Sequence, residues 1–162
     1  MYQKRHNRVV DLVCNKIKGK CVDQTTEFIK DSLVRPAMFG SNLPNFACQA
    51  IRPDILTIDR QRKAVKIIEI SVPFDAHINM SFQTKFNKYF PLSSGINALG
   101  YRAEVIVLTV GSLGCVHKNF VNGLKILGLG SREAKVLARY ISTSAIVGSY
   151  MVWKQRCKFH MF

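Results

Sequence analysis

Two β-branched runs joined by a charged turn constrain this 162-residue chain more than any other feature. Ile55 to Ile58, the turn Asp59 to Lys63, and Ala64 to Val72 read as a hairpin, with Pro73 closing the second strand. Elsewhere the apolar period is mostly helical. From His6 to Ile17 the residues Val9, Val10, Leu12, Val13 and Ile17 recur with helical spacing, followed by Lys16, Lys18 and Lys20 near the C-terminal end. A short helix is expected over Thr26 to Leu33, then a loop through Arg35-Pro36 and GSNLPN. Helical period returns from His77 to Phe90, PLSSGINALG is either a loop or the frayed continuation of that helix, and AEVIVLTVG reads as a third, fully buried strand. Lys118 to Leu127 and Ser131 to Lys154 are two further helices, the second with Ser131 as its expected N-cap after Gly130. Helix, hairpin, helix, strand and helices in that order specify an α/β domain without internal repeats.

Three charges fall where this pattern asks for apolar side chains. Asp54 opens the first hairpin strand, and Glu69 interrupts the second between Ile67, Ile68 and Ile70. With a period of two, Val65, Ile67, Glu69 and Ser71 share one face, so Glu69 points at the core. An isolated buried carboxylate costs several kcal/mol or titrates, and two side by side repel unless a cation sits with them. Hard oxygen ligands of this kind suit Mg²⁺ or Mn²⁺ rather than zinc. On the following helix Ile78, Phe82, Phe86 and Tyr89 form an apolar stripe; Lys85 falls near its centre and Lys88 at its edge. A lysine so placed lays its stem on the sheet and its ammonium near an anion. The set reads as a metal-dependent nuclease site, with a structural ion pair as the alternative for any one of its members.

Charge points the same way. Lys and Arg number 24 against 10 acids, a net +14. Residues 76 to 162 hold only Glu104 and Glu133 against eleven cations. Such a field favours a polyanion, nucleic acid first and anionic membrane second. Arg5, Arg8, Lys16, Arg52, Lys118, Lys125, Arg132, Lys135 and Arg139 are candidate phosphate contacts, each with a solvated surface charge as its alternative. The five cysteines form no C-x-x-C pair and suit reduced thiols inside a cell, and the four histidines are dispersed. The opening MYQKRHNR is too polar for a signal peptide, and no apolar run approaches the ~18 residues of a membrane span. Tyr140 to Trp153 comes nearest and is expected to be a buried terminal helix, with an interfacial helix as the alternative. Asp59 and Asp75 are expected in turns, and His6 as a phosphate or packing contact.

Taken in order, RPDILTID, IIEISVPFD and SFQTKFNKYF resemble the PD-(D/E)XK nuclease family. They are most similar to its restriction-like endonuclease branch, found at the C-terminus of site-specific non-LTR retrotransposon polyproteins. Pro53-Asp54 matches the first acid and Glu69 the second. The usual E-x-K lysine position holds Ser71, and the K-x-x-K-Y segment of that branch is matched by Lys85 to Tyr89. The resemblance covers roughly residues 5 to 155, and RHNRVV also looks like the segment that follows the zinc knuckle in such polyproteins.

The resemblance implies one restriction-endonuclease-like domain over 1–162: a central mixed β-sheet flanked by helices, with extra C-terminal helices. It implies Asp54, Glu69 and the carbonyl of Ile70 as ligands of Mg²⁺ or Mn²⁺, with Lys85 as the catalytic lysine and Lys88 as its deputy. Glu27, from an N-terminal helix, is a further candidate for the metal shell. The implied reaction is nicking of target DNA in the nucleus, leaving a 3′-hydroxyl that primes the reverse transcriptase of the parent polyprotein. Junction resolution on branched DNA and a non-catalytic nucleic-acid-binding module remain as alternatives.

Overall fold

The computed structural model describes residues 2–19, 25–40 and 51–159. Lys20, Cys21, Cys48, His160 and all of the GSNLPN loop after Gly40 lie outside the described residues. The elements are α1 (Tyr2–Lys18), β1 (Thr26–Lys30), β2 (Ile55–Asp59), β3 (Ala64–Ser71), α2 (Ile78–Ala98), β4 (Arg102–Thr109), α3 (Phe120–Ile126) and α4 (Ser131–Phe159). The fold is α/β, a four-stranded sheet in the order β1-β2-β3-β4 with helices flanking it.

β2 and β3 pair antiparallel, Ile55 opposite Ile68 and Asp59 opposite Ala64, which is the hairpin the sequence describes. Its turn is closed by Asp59, whose Oδ1 accepts the Arg62 N–H at 2.8 Å, and Lys63 takes the left-handed conformation at φ 49°. β4 joins β3 through the α2 crossover. The bonds Arg102 N–H to Lys63 carbonyl and Val110 N–H to Ser71 carbonyl advance together along both strands, which is the parallel register and makes the sheet mixed.

Three expectations are corrected, and one open alternative is resolved. Thr26 to Lys30 is a strand, not a helix; it zips antiparallel onto β2 with Glu27 opposite Ile58, and the sheet supplies the backbone partners that a five-residue helix would lack. Of the two alternatives for PLSSGINALG, loop or continuing helix, the helix is found, since α2 runs through Pro91 to Ala98. Leu92 and Ile96 are fully buried there, and their packing outweighs the missing proline N–H. The first α4 bond runs from the Ala134 N–H to the Gly130 carbonyl, which makes Gly130 the N-cap in place of Ser131. The Glu133 carboxylate reaches back to the Gly130 N–H at 3.3 Å. Finally, β4 is buried only from Ile106 to Thr109.

Two compact units make up the chain. One comprises 22–69 and 83–107. Its core packs Leu56, Ile58, Val65 and Ile67 of the hairpin against Tyr89, Leu92 and Ile96 of α2. The other comprises 1–21, 70–82 and 108–162, where α4 packs against both α1 and α3. Val9, Val13, Ile17, Phe120, Leu124, Ala134 and Ile141 are buried in it. Within this second unit Asp75 accepts the backbone N–H groups of Leu113 at 2.7 Å and Cys115 at 3.0 Å, and a Cβ on Gly111 would meet its carboxylate at 2.2 Å.

Candidate functional site

Glu69 is 4% exposed, on the core face of β3 with Val65 and Ile67. Three donors satisfy it. The Lys85 ammonium sits on Oε1; Oε2 accepts the Tyr89 hydroxyl at 2.8 Å and the Asp54 backbone N–H at 3.3 Å. The register explains the last contact, because Ile55 opposite Ile68 brings Asp54 opposite Glu69 on the same face. Helical geometry explains the first two, since Lys85 and Tyr89 lie one turn apart on the buried side of α2, in line with Leu92 and Ile96. Lys85 remains one-third exposed. Asp54, Glu69 and Lys85, three residues singled out from sequence, are thus brought together within one unit.

Tyr89 is the functional residue that sequence reasoning missed. It counts as a ring in the apolar stripe, yet its hydroxyl lies between Glu69 Oε2 and the Arg52 carbonyl at 3.0 Å. Burial above all, then the negative charge of Glu69, its hydrogen bond and the charge of Asp54, push the phenol well above its ordinary value, so it stays a donor. The available signal was its i+4 spacing from a lysine on a core-facing stripe. Lys88 stands behind it, its Nζ 3.3 Å from the Tyr89 oxygen and 4.8 Å from the ring centroid.

The other candidates fall in different places. Arg52 faces Asp31 at 3.7 Å on the surface. Glu27 is not in the metal shell: on edge strand β1 it is paired with Arg60 at 2.5 Å, and that hydrogen bond raises the arginine further. The Ile70 carbonyl accepts the His6 Nε2–H at 3.0 Å, so one of its lone pairs is already engaged and His6 is a packing contact. Asp54 and Glu69 supply two cross-strand carboxylates, and among the described residues no group of three or more His, Cys, Asp or Glu converges on a metal position. That donor set fits a hard cation such as Mg²⁺, commonly held by one or two carboxylates with water and phosphate completing its shell.

Arg8, Lys16, Lys118, Lys125, Arg132, Lys135 and Arg139 are all exposed, on α1, before and on α3, and on α4. Arg5 is half-buried on α1. All eight belong to the unit that does not contain Glu69. Tyr140 to Trp153 is not wholly buried: Ile141, Ala145 and Val152 face inward while Tyr140, Val147, Tyr150 and Trp153 are exposed, because α4 packs along one side only. Among the described residues no helix is long and apolar enough to cross a membrane.

No protein-family model matches the chain, and no curated protein matches it. Among solved structures, the N-terminal domain of a reptarenavirus L protein is similar at a TM-score of 0.47 and 17% sequence identity, over 83% of this chain and 73% of that one.

Proposed function

We propose that the chain is a metal-dependent DNA endonuclease whose active site is Asp54, Glu69 and Lys85. The observation that carries this reading is the buried Glu69 carboxylate, which takes the Lys85 ammonium on one oxygen and the Asp54 backbone on the other. A structural ion pair accounts for the lysine, but not for a second acidic residue opposite the first on the neighbouring strand. Asp54 and Glu69 are the residues that hold Mg²⁺ or Mn²⁺, which when bound supplies Lewis-acid stabilisation of charge on the scissile phosphate. Lys85 pairs with Glu69 and, one-third exposed, brings a positive charge to the phosphate oxygens and orients the attacking water. Tyr89 fixes the Glu69 carboxylate so that one oxygen faces the lysine. The finer assignment follows from the resemblance of the motifs: nicking of a target strand to leave a 3′-hydroxyl for reverse transcription by a non-LTR retrotransposon polyprotein.

The test is nicking of supercoiled plasmid and of branched duplexes with Mg²⁺, Mn²⁺ or EDTA, comparing wild type with Asp54→Ala, Glu69→Ala and Lys85→Ala. Metal-dependent nicking lost in all three variants is the expected result, and preference for branched DNA would assign junction resolution instead. If nothing is cut while all four proteins bind DNA with one salt slope, the chain is a binding module and the endonuclease reading fails.

A further inference from the structure

Where α1 crosses α4, Lys4, Arg5 and Arg8 from one helix and Gln155 from the other line a cavity of about 250 Å³, with Gly148 and Met151 among its walls. No acidic side chain lines it. Lys4 and Arg8 are exposed and one turn apart on the same face of α1. Arg5, between them, leans onto α4: its guanidinium donates to the Ser149 hydroxyl at 2.8 Å and to the Val72 carbonyl at 2.9 Å. The Ser149 oxygen in turn lies 2.6 Å from the Ser112 carbonyl and 2.9 Å from that of Ala145, so the arginine rests on an anchored hydroxyl. These two bonds fix the guanidinium in place against α4. The crossing is close enough that a Cβ at Gly148 would come within 2.8 Å of Arg5 Cγ and 3.3 Å of its Cβ.

We propose that this cavity binds a backbone phosphate of a nucleic-acid strand. Lys4 and Arg8 are its direct ligands, the Gln155 amide is a neutral donor, and Arg5 is a fixed charge at its base. Lys4 and Arg8, exposed one turn apart with no acidic residue among the described lining residues, select an anion, and a planar guanidinium fork beside an ammonium suits phosphate oxygens. The volume is several times the ~30 Å³ share of a water molecule, enough for a phosphate with part of its sugar against Met151. Gly148 completes the site by its lack of a side chain. The assignment rests on DNA as the partner, and not on catalysis.

The experiment is fluorescence anisotropy with a labelled duplex over a range of salt. It compares wild type, Lys4→Gln with Arg8→Gln, Gly148→Ala, and the charge-matched control Lys63→Gln with Arg102→Gln, both exposed and on the other unit. Loss of one phosphate contact lowers the slope of log K against log salt by about one, and affinity near 0.1 M salt by roughly tenfold. The pocket double variant and Gly148→Ala are expected to show that loss, the latter with no charge removed and with helix content intact. If Gly148→Ala does not fold, the pocket double against its control decides. A wild-type slope in a folded Gly148→Ala, or an equal loss in the control, overturns the proposal. So does a Lys4- and Arg8-dependent attachment to phosphatidylserine vesicles without DNA binding. Because cleavage is not read, a protein that binds in this way but never nicks would remove the endonuclease reading and leave the phosphate site standing.

Discussion

The two compact units treat charge in opposite ways. The unit built on the hairpin has ten Lys and Arg against seven acids, a net of +3, and it spends them in pairs: Arg60 with Glu27, Arg62 with Asp59, Arg52 with Asp31, Lys85 with Glu69. The helical unit has fourteen cations against three acids, a net of +11, and most of its cations face solvent. Two of the hairpin unit's pairs, Arg60 with Glu27 and Arg52 with Asp31, are surface pairs worth little, while Arg62 reaches from solvent to a buried Asp59. In Lys85 with Glu69, alone of these four, both side chains are largely withdrawn from solvent, with a tyrosine added to hold the carboxylate. A withdrawn, hydrogen-bonded pair suits the proposed chemistry, and an excess of exposed cations suits the proposed polyanion partner.

The largest effect should come from breaking the withdrawn pair. Glu69→Gln keeps the shape and removes the charge; nicking is expected to fall at least a hundredfold while the salt slope of DNA binding stays put, and a change in slope would blur the division between the units. Tyr89→Phe strips a hydrogen-bond donor from Glu69 and from the Arg52 carbonyl. An expected loss of about 1–2 kcal/mol in urea unfolding, with nicking down roughly tenfold, follows from the cost of stranding buried acceptors and misplacing a ligand. On the other unit, Arg132→Gln with Lys135→Gln and Arg139→Gln should weaken DNA binding and flatten its salt dependence while the melting temperature moves by only a few degrees, since all three are exposed. A large fall in melting temperature would mean that these charges are structural after all.

The smallest effect is a pH dependence. His117 is buried, stacks on Phe82 at 4.0 Å, and accepts the Asn119 N–H through Nδ1. Burial, then the charge of Lys118, holds its imidazole below the ordinary value. The unfolded chain therefore binds this proton more readily, so its contribution is complete above about pH 6.5 and is lost as pH falls toward the folded value. His117→Asn, which keeps an acceptor, should flatten the decline in unfolding free energy between pH 7 and 5; an unchanged slope would place the acid sensitivity elsewhere.

What could be read in advance follows from which interactions are local. The hairpin, the inward turn of Glu69 and the core-facing Lys85 express periods of two and 3.6 directly, so sequence carries them. β1 does not, because Thr26 to Lys30 (TEFIK) carries no period of two and acquires strand character only from a partner about 30 positions later. Tyr89 was hidden because periodicity registers its ring and says nothing of its hydroxyl. The continuation of α2 through Pro91 depends on burial of Leu92 and Ile96, a tertiary term that no local rule contains.

Asp75 and Gly111 bear on how this chain can change over generations. The carboxylate clamps the 111–115 loop by two backbone donors, and it occupies the space that any side chain at 111 would need. A mutation at 111 must push the aspartate away, and once the aspartate is gone the glycine has nothing left to accommodate. Descendants of this sequence should therefore keep both residues or replace both, a linked pair of columns 36 positions apart with neither member at the proposed active site.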